Sequence, residues 1–394
     1  MRLISKKKQI LSLIIILFLF LTIFYINSIN LEIDNPNKTI VDKEKINQSL
    51  KLSKNWLINN LNSEGYFNYI YDPIDDEYSS KNNMIRQLMA SRVISELANE
   101  NDSLKIINKK NLEYIFSNWY KEKDDLGYIY FDSKSKLGAI AMMLRTLVYS
   151  PYFENYSLQA QKLANTIIYL QNSDGSFEPW YIEPDYTYDK DYLLTFYSGE
   201  AILSLLDYYE KTEKNYILSS AIKSQDFYIK KYVENLTENY YPAYVPWHTQ
   251  SLSKLYMITE NKSYSNPIFI LNNELLKLQD TKNNNTLGRF YNKSTPEYGS
   301  PHSSSDAVYT EGLSYAYEIA EMLNDENHKE KYLKAIVIGS ENLINLQYNK
   351  TNSKNFKDPE KIIGAIKINI DRSDIRVDTT QHTIDAFDKI IKVF

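Results

Sequence analysis

Carboxylates, arginines and aromatic residues crowd a few segments of this 394-residue chain. The richest segment runs from Gly288 to Glu311 and holds Arg289, Glu297, His302, Asp306 and Glu311. A second spans residues 180–200 and holds Trp180, Glu183, Asp185, Asp189, Asp191, Tyr197 and Glu200. A third, residues 371–382, contains Asp371, Arg372, Asp374, Arg376, Asp378, Gln381 and His382. Shorter segments add Arg86 and the run Trp247, His248 and Gln250. Aromatic rings beside carboxylates suit sugars, because a ring covers the apolar sugar face while acids accept its hydroxyls. Hydrolysis of a glycosidic bond takes two carboxyl groups, one of them protonated. Glu200 and Glu311 form the first candidate pair, with Asp306 as substitute. Epimerisation or β-elimination at a uronate instead takes a base at C5 and cations on the sugar carboxylate. Arg86, Arg289 and Arg376 are the candidate cations, and Tyr197, Tyr309 or His248 the proton carriers. Trp180, Trp247, Gln250, His302, Asp378, Gln381 and His382 complete the expected substrate-binding set. An acid in the first turn of a helix also stabilises the helix dipole with no further role, so each carboxylate has a bland explanation beside the catalytic one.

Composition removes other chemistries. The chain has no cysteine, which excludes a thiol nucleophile, a disulfide scaffold and a thiolate-ligated metal. No ligand spacing supports a metal site at His248, His302 and His382, and no phosphate-binding glycine loop or other cofactor motif occurs. With 45 basic and 50 acidic residues the net charge is −5, which gives no basis for nucleic-acid binding.

The elements that position these residues are visible in the glycines. Only ten occur, too few for a strand-and-turn protein, and five share one context: Gly65, Gly127, Gly175, Gly288 and Gly364, each two residues before an aromatic or aliphatic residue. Glycine after a helical pattern is a helix stop. Pro242-Ala243-Tyr244 takes the place of a sixth stop. After each stop comes a polar, aromatic loop and then an apolar small-residue helix. Helix heads align at Arg86, Gly138, Glu200, Gln250, Glu311 and Gln381, at intervals of roughly 50–70 residues, the mark of a repeat architecture. Amphipathic partners follow at 104–119, 158–170, 216–232, 267–278 and 329–346. The last unit lacks a partner, and an unpaired amphipathic helix stands at 41–61. Pairing the two closes six hairpins into an all-α (α/α)6 toroid rather than an open solenoid. The aligned helix heads then ring one mouth.

With this pattern the chain resembles the six-hairpin, (α/α)6-toroid class, which includes six-hairpin glycosidases, sugar 2-epimerase-like proteins and the C-terminal domain of D-glucuronyl C5-epimerases. Residues 197–212, a small-residue helix ending in Tyr-x-x-Thr, are similar in style to that epimerase domain. Gln171 to Phe177, QNSDGSF, resembles the Gln–Trp repeats of terpene cyclases, but the cyclases' Asp-x-Asp-Asp motif is missing here. The resemblance covers residues 43–394 and implies a carbohydrate-active enzyme on a surface polysaccharide or glycan. A non-catalytic glycan-binding or scaffold protein is the alternative from another class.

At the amino terminus Arg2, Lys6, Lys7 and Lys8 precede an uncharged apolar run over residues 10–26. That run approaches the length of a membrane helix, and its basic flank predicts a cytoplasmic tip. Asn27 to Asn30 make a poor cleavage site, so an uncleaved anchor is favoured over a secretory signal. The expected organisation is a basic tip and anchor over 1–30, a stalk over 31–42 and an extracytoplasmic toroid over 43–394. Nothing in the sequence sets an oligomeric state.

Overall fold

The computed structural model describes residues 40–394. The apolar run 10–26 and the stalk up to residue 39 lie outside them. Among the described residues no helix is long and apolar enough to cross a membrane.

Twelve helices of eleven residues or more alternate between an outer and an inner layer among the described residues. The outer helices are α1 (Lys43–Asn59), α3 (Asp102–Asn118), α5 (Ser157–Tyr169), α7 (Asn215–Ile229), α9 (Ser265–Leu275) and α11 (Glu326–Asn345). The inner helices are α2 (Met84–Glu100), α4 (Leu137–Val148), α6 (Lys190–Thr212), α8 (Tyr244–Thr259), α10 (Ser303–Met322) and α12 (Val377–Val393). Each inner helix packs on the next, and α12 packs back on α2, so the ring is closed. Helix α1 pairs with α12 to complete the sixth hairpin, as the chain ends predict. Inner helices are buried along nearly their whole length, so they carry Ala, Ser, Gly and Leu around their circumference, whereas outer helices bury one face.

The repeat shows how neighbouring hairpins are locked. After an outer helix the chain turns, and a bridge joins Leu61 to Phe67, Gln171 to Phe177, Gln279 to Phe290 and Gln347 to Ile366. The bridge glutamines clamp the following outer helix. Gln171 Nε2 donates to Ser224 Oγ on α7 (2.6 Å), Gln279 Nε2 to the Ala335 carbonyl on α11 (2.9 Å), and Gln347 Nε2 to Ser53 Oγ on α1 (2.8 Å). The third clamp crosses from the last repeat to the first. Gly364 serves the same junction: it sits at φ +96°, and a Cβ there would collide with the Leu52 carbonyl of α1.

Two sequence expectations change here. Gly65, Gly175, Gly288 and Gly364 have positive φ, but they occupy these bridged turns rather than the helix stop itself, and Gly127 lies in a strand. Pro242-Ala243-Tyr244 forms no such turn, because Tyr244 already opens α8. Short strands also appear that the sparse glycines argued against. β1 (Ile70–Asp72), β2 (Glu77–Tyr78), β7 (Lys367–Asn369) and β8 (Arg372–Arg376) form a sheet in the order β2-β1-β8-β7. It joins the first and last repeats by pairing Ile70 with Arg376. A second pair, β3 (Tyr120–Lys123) and β4 (Leu126–Ile129), and a third, β5 (Ser135–Lys136) and β6 (Trp180–Ile182), cap the same end.

Candidate active site

A cavity of about 400 Å³ opens at the end of the ring where the inner helices start. All six inner helices or their caps reach it, through Arg86, Lys136, Glu200, Trp247, Tyr309 and His382 among others. Tyr192, Phe196, Tyr241 and Tyr298 add aromatic wall.

Glu200 comes from the third turn of α6 and is 2% exposed. Its Oε2 is buried with no hydrogen-bond partner. Burial pushes its carboxyl up to about 8, against the pull of Arg145, Lys136 and Arg86. At neutral pH it is therefore a protonated acid facing a cavity. Gly138 on α4 makes the room: a Cβ there would collide with Glu200 Oε2 and the Tyr197 ring. Tyr197 lies beside it, and burial and then Glu200 hold its hydroxyl protonated.

The opposite character gathers around Asp378. Arg376, delivered by the end of β8, binds it through Nε (2.5 Å) and Nη2 (2.6 Å). Arg86 Nε adds a contact at 3.1 Å, and Arg86 Nη1 donates to the Tyr69 hydroxyl at 2.5 Å. Burial alone would raise the Asp378 carboxyl, but Arg376 and Arg86 outweigh it and hold it well below the usual carboxylate range. Two arginines on one carboxylate leave this wall with a net positive charge. Asp378 spends both oxygens on them, so it orients cations rather than standing free as a nucleophile.

Two histidines complete the cavity in neutral form. His302 caps α10, its Nδ1 accepting from the Ser304 amide (3.1 Å), so its proton sits on Nε2, which is buried without a partner. Burial first and Arg376 second pull its pKa down to about 3. His382 lies edge-on to Trp247, with ring centroids 6.0 Å apart, and its Nδ1 has no partner. Burial takes it down to about 4 despite the opposing pull of Asp378.

The cavity thus collects Arg86, Tyr197, Glu200, Trp247, His302, Arg376, Asp378 and His382 from the expected set. Other candidates lie elsewhere. The inner helices start earlier than the aligned heads, so Gln250, Glu311 and Gln381 sit one or more turns down the bore instead of at its rim. Glu311 faces His382 and Asp385, with one ligand atom of each within 4.8 Å of the others. Arg92 already pairs with Asp385, which gives that cluster its cation from the protein itself. Burial and Asp385 push the Glu311 carboxyl up. Gln381 Nε2 donates to Asp385 Oδ2 at 2.5 Å.

Asp306 is a fastener. It accepts from the Phe290 amide (2.8 Å) and Asn342 Nδ2 (3.0 Å), tying a bridged turn and α11 to α10, and burial pushes it up to about 6. His248 is held behind the wall by Ser198 Oγ (3.0 Å) and Gln225 Nε2 (3.2 Å), neutral because burial lowers it to about 3. Trp180 lies under Lys136, and neither it nor Arg289 lines the cavity. Sequence reasoning passed over Lys136, Tyr192, Tyr241 and Tyr298. Lys136 had a signal: it stands two residues before Gly138, at the true head of an inner helix.

No family profile and no curated protein sequence matches the chain. Solved structures do. A D-mannose isomerase superposes with TM-score 0.66 at 12% identity, covering 89% of this chain and 97% of that one. The GH76A α-1,6-mannanase from Salegentibacter sp. HEL1_6 gives 0.62 at 11%, covering 89% and 100%. An unsaturated glucuronyl hydrolase specific for heparin gives 0.62 at 10%, covering 89% and 98%. The described chain has the six-hairpin glycosidase-like (α/α)6 toroid fold that the sequence predicts.

Proposed function

We propose that the chain is a carbohydrate-active enzyme that works on a uronate unit of a polysaccharide or glycan at this mouth, by the epimerase or lyase type of reaction. The observation that carries the proposal is the pairing of a cationic wall, Arg86 and Arg376 on Asp378, with a protonated acid, Glu200, in one cavity. The arginines bind the sugar carboxylate and make the C5 proton more acidic by stabilising the charge that develops when it leaves. His382, neutral and unpartnered at Nδ1, takes that proton. Glu200 returns one, to C5 from the other side in epimerisation or to the departing oxygen in elimination. Aromatic residues of the wall, Trp247 and Tyr192 among them, pack on the sugar faces.

The solved neighbours support a glycan ligand, since their names include mannanase, mannose isomerase and glucuronyl hydrolase. Hydrolysis keeps Glu200 as the acid but has to release Asp378 from two arginines before it can act as the second carboxylate. We further propose that residues 10–26 anchor the toroid to a membrane with its body extracytoplasmic, on the strength of the basic flank and the uncharged apolar run.

The test is turnover on a panel of uronate-bearing polysaccharides, followed by hydrogen–deuterium exchange at C5. Wild-type turnover that falls by roughly 10²–10⁴ in Glu200→Gln is expected. Tight binding with no turnover and no C5 exchange would instead identify a glycan-binding protein.

A further inference from the structure

A smaller cavity of about 140 Å³ adjoins the mouth, and the two share Asn83 and Lys136 in their walls. Its remaining wall includes Phe131, Asp132, Lys134 and Tyr186. A two-residue turn builds it. Phe131 bridges Lys134 across Asp132 and Ser133, which both take positive φ, 51° and 59°. Turns of this kind favour Asn-Gly, and side chains at both centres hold strained backbone. The tight turn sends the chain straight into β5. Lys134 and Lys136, two residues apart on extended backbone, therefore share a face.

The two lysines differ in their partners. Lys134 pairs with Asp132 at 2.5 Å and lies 5.4 Å from the Tyr186 ring. Lys136 makes no ion pair among the described residues, and its ammonium lies 5.7 Å over Trp180. It is half-buried, and burial followed by Lys134 and Arg86 pulls its pKa down. Glu200 and Asp132 pull the other way without offsetting this, and a cation withdrawn from water without an ion-pair partner is unfavourable. The arginines of the mouth have Asp378; Lys136 lines both cavities.

We propose that the smaller cavity is a second glycan subsite in which Lys136, with Lys134 at its edge, binds an oxyanion on the sugar unit next to the one held at the mouth. The inference rests on the uronate proposal for the mouth and adds to it. The substrate carries negative charge on consecutive units, as a carboxylate or a sulfate, and Lys136 supplies the preference. Tyr186 and Phe131 cover a face of that second unit.

The experiment measures Kd for three tetrasaccharides on the full chain by calorimetry. Hyaluronan alternates a uronate with an uncharged unit. Oligogalacturonate carries a carboxylate on every unit, and heparin carries sulfate beside its uronate. Wild type should bind at least one of the last two about tenfold or more tighter than hyaluronan, in line with a charge-assisted contact. Which of the two gains identifies the carboxylate or the sulfate as the anion. Lys136→Met should weaken the favoured tetrasaccharide about tenfold more than it weakens hyaluronan, so that the advantage is erased, and Lys136→Arg should restore it. Equal binding of all three, or an advantage that survives Lys136→Met, overturns the subsite and leaves the mouth intact. Failure of wild type to bind any of them overturns the uronate proposal, and this one with it.

Discussion

The bore of the toroid holds two sets of buried charges, and their difference separates chemistry from scaffolding. At the lower end, Asp207 on α6 accepts from Arg145 Nε on α4 (2.6 Å), Lys254 Nζ on α8 (2.8 Å) and the Tyr149 hydroxyl (3.2 Å). Arg92 on α2 binds Asp385 on α12 and Glu96 (2.8 Å), and Lys389 of α12 binds Glu318 of α10 at 2.6 Å. This set spans all six inner helices and closes nearly every charge on another. At the mouth, Glu200 Oε2, His302 Nε2 and His382 Nδ1 stand unpartnered at a 400 Å³ cavity. Buried polar atoms are almost always satisfied by the protein or its ligands. A network saturated in ion pairs holds helices in register, whereas the mouth presents Glu200, His302 and His382 to a cavity.

The largest expected effect tests the open set. Glu200→Gln keeps shape and removes the proton, so turnover on the cognate glycan should fall by about 10²–10⁴ while thermal stability holds or rises. Glu318→Gln, on α10 in the floor network with Lys389, should leave turnover within a few fold. An equal loss in both variants, read from steady-state rates, would break the division between mouth and floor.

The sequence carried the fold further than the site. The repeat, the closure of the first helix on the last and the small-residue inner helices were legible because each rests on local spacing. The outer helices fell within a few residues of their expected bounds: 104–119 became Asp102–Asn118 and 329–346 became Glu326–Asn345. Depth along an inner helix was not legible. Glu200, Glu311 and Gln381 aligned as equivalent heads, yet only Glu200 lines the cavity; it stands eleventh in α6, Glu311 ninth in α10 and Gln381 fifth in α12, so distance from the helix start does not decide which one meets the opening. Nor was pairing legible. Asp306 and Asp378 are both acids near the start of an inner helix, and only contacts from distant segments make one a fastener and the other a holder of arginines.

The floor should answer in stability instead of rate. Asp207→Asn leaves Arg145 and Lys254 buried beside a neutral amide, and breaking a buried pair from one side costs about 3–5 kcal/mol. Urea denaturation reads this directly. A loss below roughly 1 kcal/mol would mean the network is as weak as surface ion pairs.

A smaller effect is expected at the ring closure. Gln347 Nε2 donates to the Ser49 carbonyl (2.9 Å) and Ser53 Oγ (2.8 Å). Gln347→Leu strands these acceptors, for about 1–3 kcal/mol. Because the clamp joins the chain ends, amide exchange should rise first in α1 and α12. A uniform rise around the ring would show that the junction is no more separable than any other.

The smallest effect, a slope in pH, sets the two regions in opposition. Glu200 keeps its proton in the folded chain up to about 8, whereas the unfolded chain gives it up near 4.5. Its contribution to stability is complete below pH 4.5 and is lost as pH rises through 8. Asp207 runs the other way: burial would raise it, but Lys254 and Arg145 hold it down to about 2 against an unfolded value of 3.8. Its contribution is complete above pH 3.8 and is lost as pH falls toward 2. Each such group changes stability by at most about 1.4 kcal/mol per pH unit within its own window. Glu200→Gln should therefore flatten the decline in unfolding free energy between pH 5 and 8 and leave the acid limb alone. Asp207→Asn should do the reverse. If Glu200→Gln keeps the full alkaline decline in urea titrations, the carboxyl at the mouth is ionised at neutral pH, and the proton donor has to be sought among Tyr197 and the two histidines.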